Sequence, residues 1–141
     1  MPVLNSPIAR EVLEKAPGLA RMYERYTAQL DRLMAQGHLK PADLAGKRVL
    51  DWECCAGIFA LLFLERGAGH CEAIDSWLQL EDCQKAMGHI PNLRFEKVGI
   101  VDYAADASRH GSFDFIFANT VTEHMLDLPK QLPLIGRLLR P

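Results

Sequence analysis

The 141-residue chain has no C-x-x-C pair, no internal repeat and no low-complexity tract. Its four cysteines, Cys54, Cys55, Cys71 and Cys83, lack zinc-ligand spacing and no histidine completes a set, so no metal is expected. Read without a disulfide role, Cys54 and Cys55 are small buried hydrophobes of a reducing cytosol. Basic charge is not in excess either: 16 Lys and Arg stand against 18 Asp and Glu, which excludes a global field for nucleic acid or an anionic membrane. The longest nearly apolar run, Cys54 to Leu64, is too short to span a bilayer, and Met1 to Arg10 lack a charged segment followed by an apolar one. The expectation is a soluble, cytoplasmic domain with a small-molecule ligand.

What is present divides into two parts, residues 1–43 and 44–141. In the first, Ser6-Pro7 has the form of an N-cap followed by proline at the first helical position, and Pro17-Gly18 stops that helix. A second helix follows, with Leu19, Met22, Tyr23, Tyr26, Leu30, Leu33 and Met34 at three- and four-residue steps and Gly37 closing it. This pair forms a helical cap, either a cover over a pocket or plain packing.

From Gly46 onward, strand and helix alternate. Arg48 to Leu50 is a buried strand, Ile58 to Glu65 a helix stopped by Gly67, and Cys71 to Ile74 a second strand. Ser76-Trp77-Leu78-Gln79 has the form of a capping box opening a helix to about Met87 or Gly88. A third strand is expected from Leu93 to about Val101, a fourth over Phe113 to Ala118, and a last helix kinked or delayed by Pro133. This is the grammar of a three-layer α/β protein with a Rossmann-like parallel sheet. Such sheets bind ligands outside the carboxyl ends of their strands, here Asp51, Asp75, Asp102 and Asn119.

In order and spacing, Lys47-Arg48-Val49-Leu50-Asp51 with Gly57, Ala73-Ile74-Asp75-Ser76, Asp102, and Phe113 to Asn119 with Glu123-His124 resemble the class I S-adenosylmethionine-dependent methyltransferases, in particular the type 11 group. The resemblance covers about Leu44 to Pro141. It implies strand order 3-2-1-4 and S-adenosylmethionine as cofactor. It further implies that Asp51 and the turn through Glu53 to Gly57 hold the methionine end, and that Asp75 accepts from the ribose hydroxyls, with Ser76 beside it. Trp77 or Leu78 would pack on the adenine, and Asp102 would accept from the adenine amino group beside the Tyr103 backbone. Asn119 would lie under the sulfonium. His124 is either a general base for the acceptor or a residue that orients its loop.

Two departures stand out. The family turn is D-x-G-x-G-x-G, and Glu53 and Cys55 occupy two of its three glycine positions, where positive φ would strain them. Family members also carry three further strands, so strand four would present an open edge: either a second copy or a partner chain covers it, or the chain is a shortened or split version of a longer protein. The function expected is methyl transfer to a small-molecule acceptor. The alternative is a non-catalytic domain of the same fold that has lost the cofactor. A nicotinamide-dependent dehydrogenase would need the absent G-x-G-x-x-G.

Overall fold

The computed structural model describes residues 6–77, 79–119 and 127–141. Its elements are α1 (Pro7–Lys15), a 3₁₀ turn at Pro17–Leu19, α2 (Ala20–Ala35), α3 (Pro41–Leu44), β1 (Arg48–Trp52), α4 (Ile58–Glu65) and β2 (His70–Ile74), followed by α5 (Leu80–Met87), β3 (Leu93–Glu96), α6 (Ile100–Ala105), a second 3₁₀ turn at Ala107–Arg109, β4 (Phe115–Ala118) and α7 (Leu128–Gly136). The sheet is wholly parallel in the order β3-β2-β1-β4, as expected. Ser6 caps α1 by accepting the Ala9 N–H at 3.1 Å, with Pro7 at the start of the helix. Gly37 adopts φ 75 just beyond α2, and its N–H donates to the Met34 carbonyl.

Strand alternation divides the interior. Val49, Cys71 and Ala73 face α1, α2, α4 and α5 across the larger core, whereas Leu50, Trp52 and Ile74 face α6 and α7 in a second one. The cap belongs to the larger core: Tyr26 stacks on Phe59 of α4 at 4.4 Å, and Phe59 meets Phe117 of β4 at 4.6 Å. Tyr23 donates to the Glu65 carboxylate at 2.9 Å. No helix among the described residues is long and apolar enough to cross a membrane.

Three expectations are corrected. The third strand ends at Glu96, because Ile100, Tyr103 and Ala104 recur at helical spacing and bury one face of α6 in the second core. Asp102 therefore lies in the first turn of a helix and not at a strand end. The helix expected at Ser76 begins at Leu80, since the Asp75 side chain captures the Trp77 N–H and makes a turn first. The last helix starts at Leu128 with Pro133 inside it, which overturns the delayed start.

The turn from β1 into α4 is left-handed at three positions: Glu53 (φ 55), Cys55 (φ 53) and Gly57 (φ 77). The first two are strained as anticipated. Gly57 serves internal packing, because a Cβ there would come within 2.3 Å of the Phe95 ring. Beneath the turn, Asp51 is 1% exposed and its Oδ2 has no hydrogen-bond partner. Burial pushes its carboxyl up to about 8; the Ala60 amide opposes the rise and the nearby Asp75 charge adds to it.

Opposite outcomes are expected at neighbouring turn positions. Gly57→Ala should destabilise by about 1–3 kcal/mol through strain and the Phe95 clash. Cys55→Gly, at an exposed side chain, should stabilise by about 0.5–1 kcal/mol, because relief of the left-handed strain exceeds the added unfolded-chain entropy. Urea denaturation of the two variants checks both signs. For Asp51, the folded state keeps a proton that the unfolded chain loses above its ordinary value of 3.8. This contribution is full below that value and is lost as pH rises towards 8, with a slope approaching about 1.4 kcal/mol per pH unit. Asp51→Asn should flatten stability over that interval relative to wild type; parallel pH profiles for the two proteins would refute the buried-proton account.

Candidate functional site

The carboxyl ends of β1, β2 and β3 surround Asp75, which is 7% exposed. Its Oδ2 accepts the Cys55 N–H at 3.0 Å and its Oδ1 the Trp77 N–H at 2.7 Å, so one carboxylate fastens the loop after β1 to the loop after β2. Each oxygen retains a second lone pair for a ligand.

Two cavities meet at this residue. The first, of about 340 Å³, opens between the strand ends and the α6–α7 side; its polar wall carries Glu53, Asp75, Ser76, Asp102, Asp127 and Gln131. It has four carboxylates and no Lys or Arg among its lining residues, and the Gln131 Oε1 is buried without a partner. Its potential is therefore negative and suits a cationic ligand. The second, of about 500 Å³, lies on the cap side and is mostly apolar; Leu19, Met22, Cys55, Ala56 and Cys83 form much of its wall and Asp75 its shared boundary.

The structure thus brings Glu53, Asp75, Ser76 and Asp102 into one cleft. Trp77 stands 86% exposed on the rim of the other cavity. Among the described residues, Asp51, Gly57, Tyr103 and Asn119 line neither. Asp51 lies beneath the turn on the Asp75 side, and Asn119 accepts from Gln29 of α2 at 3.1 Å. The Tyr103 amide is committed to the Gly99 carbonyl at 3.0 Å. Its ring turns into the second core, its hydroxyl donating to Glu72 and the Arg109 guanidinium lying 3.9 Å from its centroid. Leu78, Glu123 and His124 fall outside the described residues.

Cys54 is buried as expected and Cys71 and Cys83 are buried too, but Cys55, expected to be buried, is exposed on its left-handed backbone. Burial, with the Asp75 charge, still pushes the Cys55 thiol up. Sequence reasoning missed Asp127 and Gln131. Their four-residue spacing across the start of α7 puts both on one helix face, and that spacing was the available signal.

The comparisons with known proteins agree with this geometry. A family model described as a methyltransferase domain matches residues 19–141. Ubiquinone biosynthesis O-methyltransferases of two Neisseria meningitidis strains, serogroup A and serogroup C, are each 30% identical over 139 residues, 96% of this chain. The chain spans 56% of the length of those relatives. Among solved structures, an S-adenosylmethionine-dependent methyltransferase from Mesorhizobium loti superposes with a TM-score of 0.62 at 19% identity, covering 75% of this chain and 46% of the other. The [4+2]-cyclase SpnF gives a TM-score of 0.56 at 23% identity, covering 70% and 36%. The cyclase shows that the fold by itself does not fix the chemistry. The family match over most of the chain, together with the 3-2-1-4 parallel sheet and the acidic cleft at its strand ends, places this chain in the class I S-adenosylmethionine-dependent methyltransferase family.

Proposed function

We propose that this domain binds S-adenosylmethionine in the acidic cleft and directs methyl transfer to a hydroxyl of a small-molecule acceptor. The observation that carries the reading is the convergence of Glu53, Asp75 and Asp102 on one cleft that, among the described residues, no Lys or Arg lines, within the span of the family match. The donor set fits a molecule with a sulfonium and an ammonium group: carboxylates compensate its positive charge, and Asp75 has acceptor capacity for two ribose hydroxyls. The O-methyltransferase relatives support oxygen as the accepting atom. When bound, the cofactor would supply a methyl group activated by a sulfonium sulfur, for transfer to the acceptor oxygen.

The chain's own contribution is positioning. Asp75 holds the two loops in register, Asp102 in α6 faces the cleft for an exocyclic amine, and Glu53 places a carboxylate near the cationic centre. Ser76 continues the same wall, and Asn119 joins α2 to the end of β4. In this reading His124 either takes the acceptor proton or orients its loop. Two features count against the non-catalytic alternative: Glu53 and Cys55 keep the left-handed path of the glycine turn, and the cleft beside them is open.

S-adenosylmethionine or S-adenosylhomocysteine at a hundred times its dissociation constant should stabilise the chain by about 2.7 kcal/mol, read as a rise in melting temperature. Asp75→Asn should weaken either ligand by about tenfold or more, since a charged acceptor is lost. Calorimetric titration of both proteins with S-adenosylhomocysteine measures the difference. Absence of a thermal shift with either ligand would overturn the donor reading.

A further inference from the structure

A sulfonium donor and the thioether left after its methyl group has gone differ by one positive charge and little in shape. A cleft that carries charge of one sign reads that difference. Glu53, Asp75, Asp102 and Asp127 give the acidic cleft four carboxylates. Glu53 adds its own from a turn position that the glycine motif leaves without a side chain.

We propose that Glu53 makes this site select the charged donor over its neutral product, with Asp127 reinforcing it from α7; this selectivity rests on the donor reading of the acidic cleft. The order of the strands decides which carboxylate meets the sulfonium. The end of β2, with Asp75, lies between the segment that leaves β3, with Asp102, and the end of β1, with Glu53. In the donor, adenine and sulfonium flank the ribose, one on the anomeric carbon and the other on the exocyclic methylene. A ribose held at Asp75 with its base towards Asp102 therefore directs the sulfonium towards Glu53. Trp52 pairs with Ala118 in the sheet, so Glu53 and Asn119 leave it side by side and this end of the cleft lies towards β4.

The rest of the wall leaves that charge effective. Among the described residues no Lys or Arg lines the cleft. Lys130 pairs with Asp127 at 3.2 Å, but its side chain is 83% exposed and its charge is screened by water. The Gln131 Oε1, buried without a partner, is an acceptor that a ligand's ammonium would satisfy. Glu53 itself is half-buried, which weakens the screening of its charge. At the effective dielectric of a protein surface, a carboxylate about 8 Å from a unit charge suffices for a preference of about tenfold.

The test measures binding, with no methyl group transferred. Calorimetric titration of the whole chain compares S-adenosylmethionine, S-adenosylhomocysteine and sinefungin, an unreactive analogue that carries an ammonium in place of the sulfonium. The two cationic ligands should bind about tenfold more tightly than S-adenosylhomocysteine. That preference should shrink between about 0.1 M and about 1 M salt, as the Debye length falls from about 10 Å to about 3 Å. Glu53→Gln should weaken the cationic ligands by about tenfold and S-adenosylhomocysteine by less than about twofold, and the retained affinity shows that the variant is folded. Asp127→Asn should act in the same direction and more weakly. S-adenosylhomocysteine binding as tightly as the cationic ligands, a preference indifferent to salt, or equal weakening of all three by Glu53→Gln would overturn the selectivity and leave the donor reading intact. Binding of none of the three would overturn the donor reading, and the selectivity with it.

Discussion

The carboxylate of Asp75, accepting one amide from each of two loops, is the interaction on which the rest of the site depends. Hydrogen bonds to a charged group each contribute roughly 1.5–3 kcal/mol, and these two act where the chain leaves regular structure. They make the end of β2 a fixed post between the loops after β1 and β2. The space above the sheet is divided there into an acidic side and an apolar side. The same bond explains how the turn tolerates Cys55. A left-handed non-glycine residue is strained by about 1–2 kcal/mol, and its N–H is held by a charged acceptor that offsets a cost of that size.

Charge is distributed between the layers with the same economy. Asp51 lies below the post, buried with one oxygen unpartnered, and it meets the field of Asp75 from below. An ionised pair so placed would be repulsive in a medium that screens poorly, and burial resolves this by keeping the lower carboxyl protonated near neutrality. The acidic cleft is thus the upper surface of a deeper concentration of carboxyl groups. A cation arriving at the cleft meets Glu53, Asp75, Asp102 and Asp127 directly, with Asp51 behind them.

Much of this architecture was legible in the sequence because parallel strands demand crossovers, and the alternation of apolar runs with Gly and Pro stops shows where those lie. Ser6-Pro7 and the α4 boundaries follow from that logic, whereas the strand order was what the family resemblance implied. The errors came where one local signal hid another. An apolar run through Val98 and Ile100 is read as more strand until the three- and four-residue spacing to Tyr103 and Ala104 is given weight, and Asp102 reached the cleft on a helix instead of a strand. The Ser76 and Gln79 pair had the form of a helix start, but the Asp75 carboxylate accepts the Trp77 N–H and the chain turns there before the helix begins at Leu80. The opposite destinations of Glu53 and Cys55 were beyond sequence reasoning, since the direction of a side chain from a left-handed residue depends on the path of the whole turn.

The left-handed turn also has a meaning in the currency of the genetic code. Every glutamate codon and every cysteine codon lies a single base from a glycine codon, so relief of backbone strain at Glu53 and at Cys55 is the shortest step mutation can take. A chain drifting without constraint would find that downhill change readily. A sequence that carries a side chain at both places stands on a slope, with one group lining the acidic cleft and the other the apolar cavity.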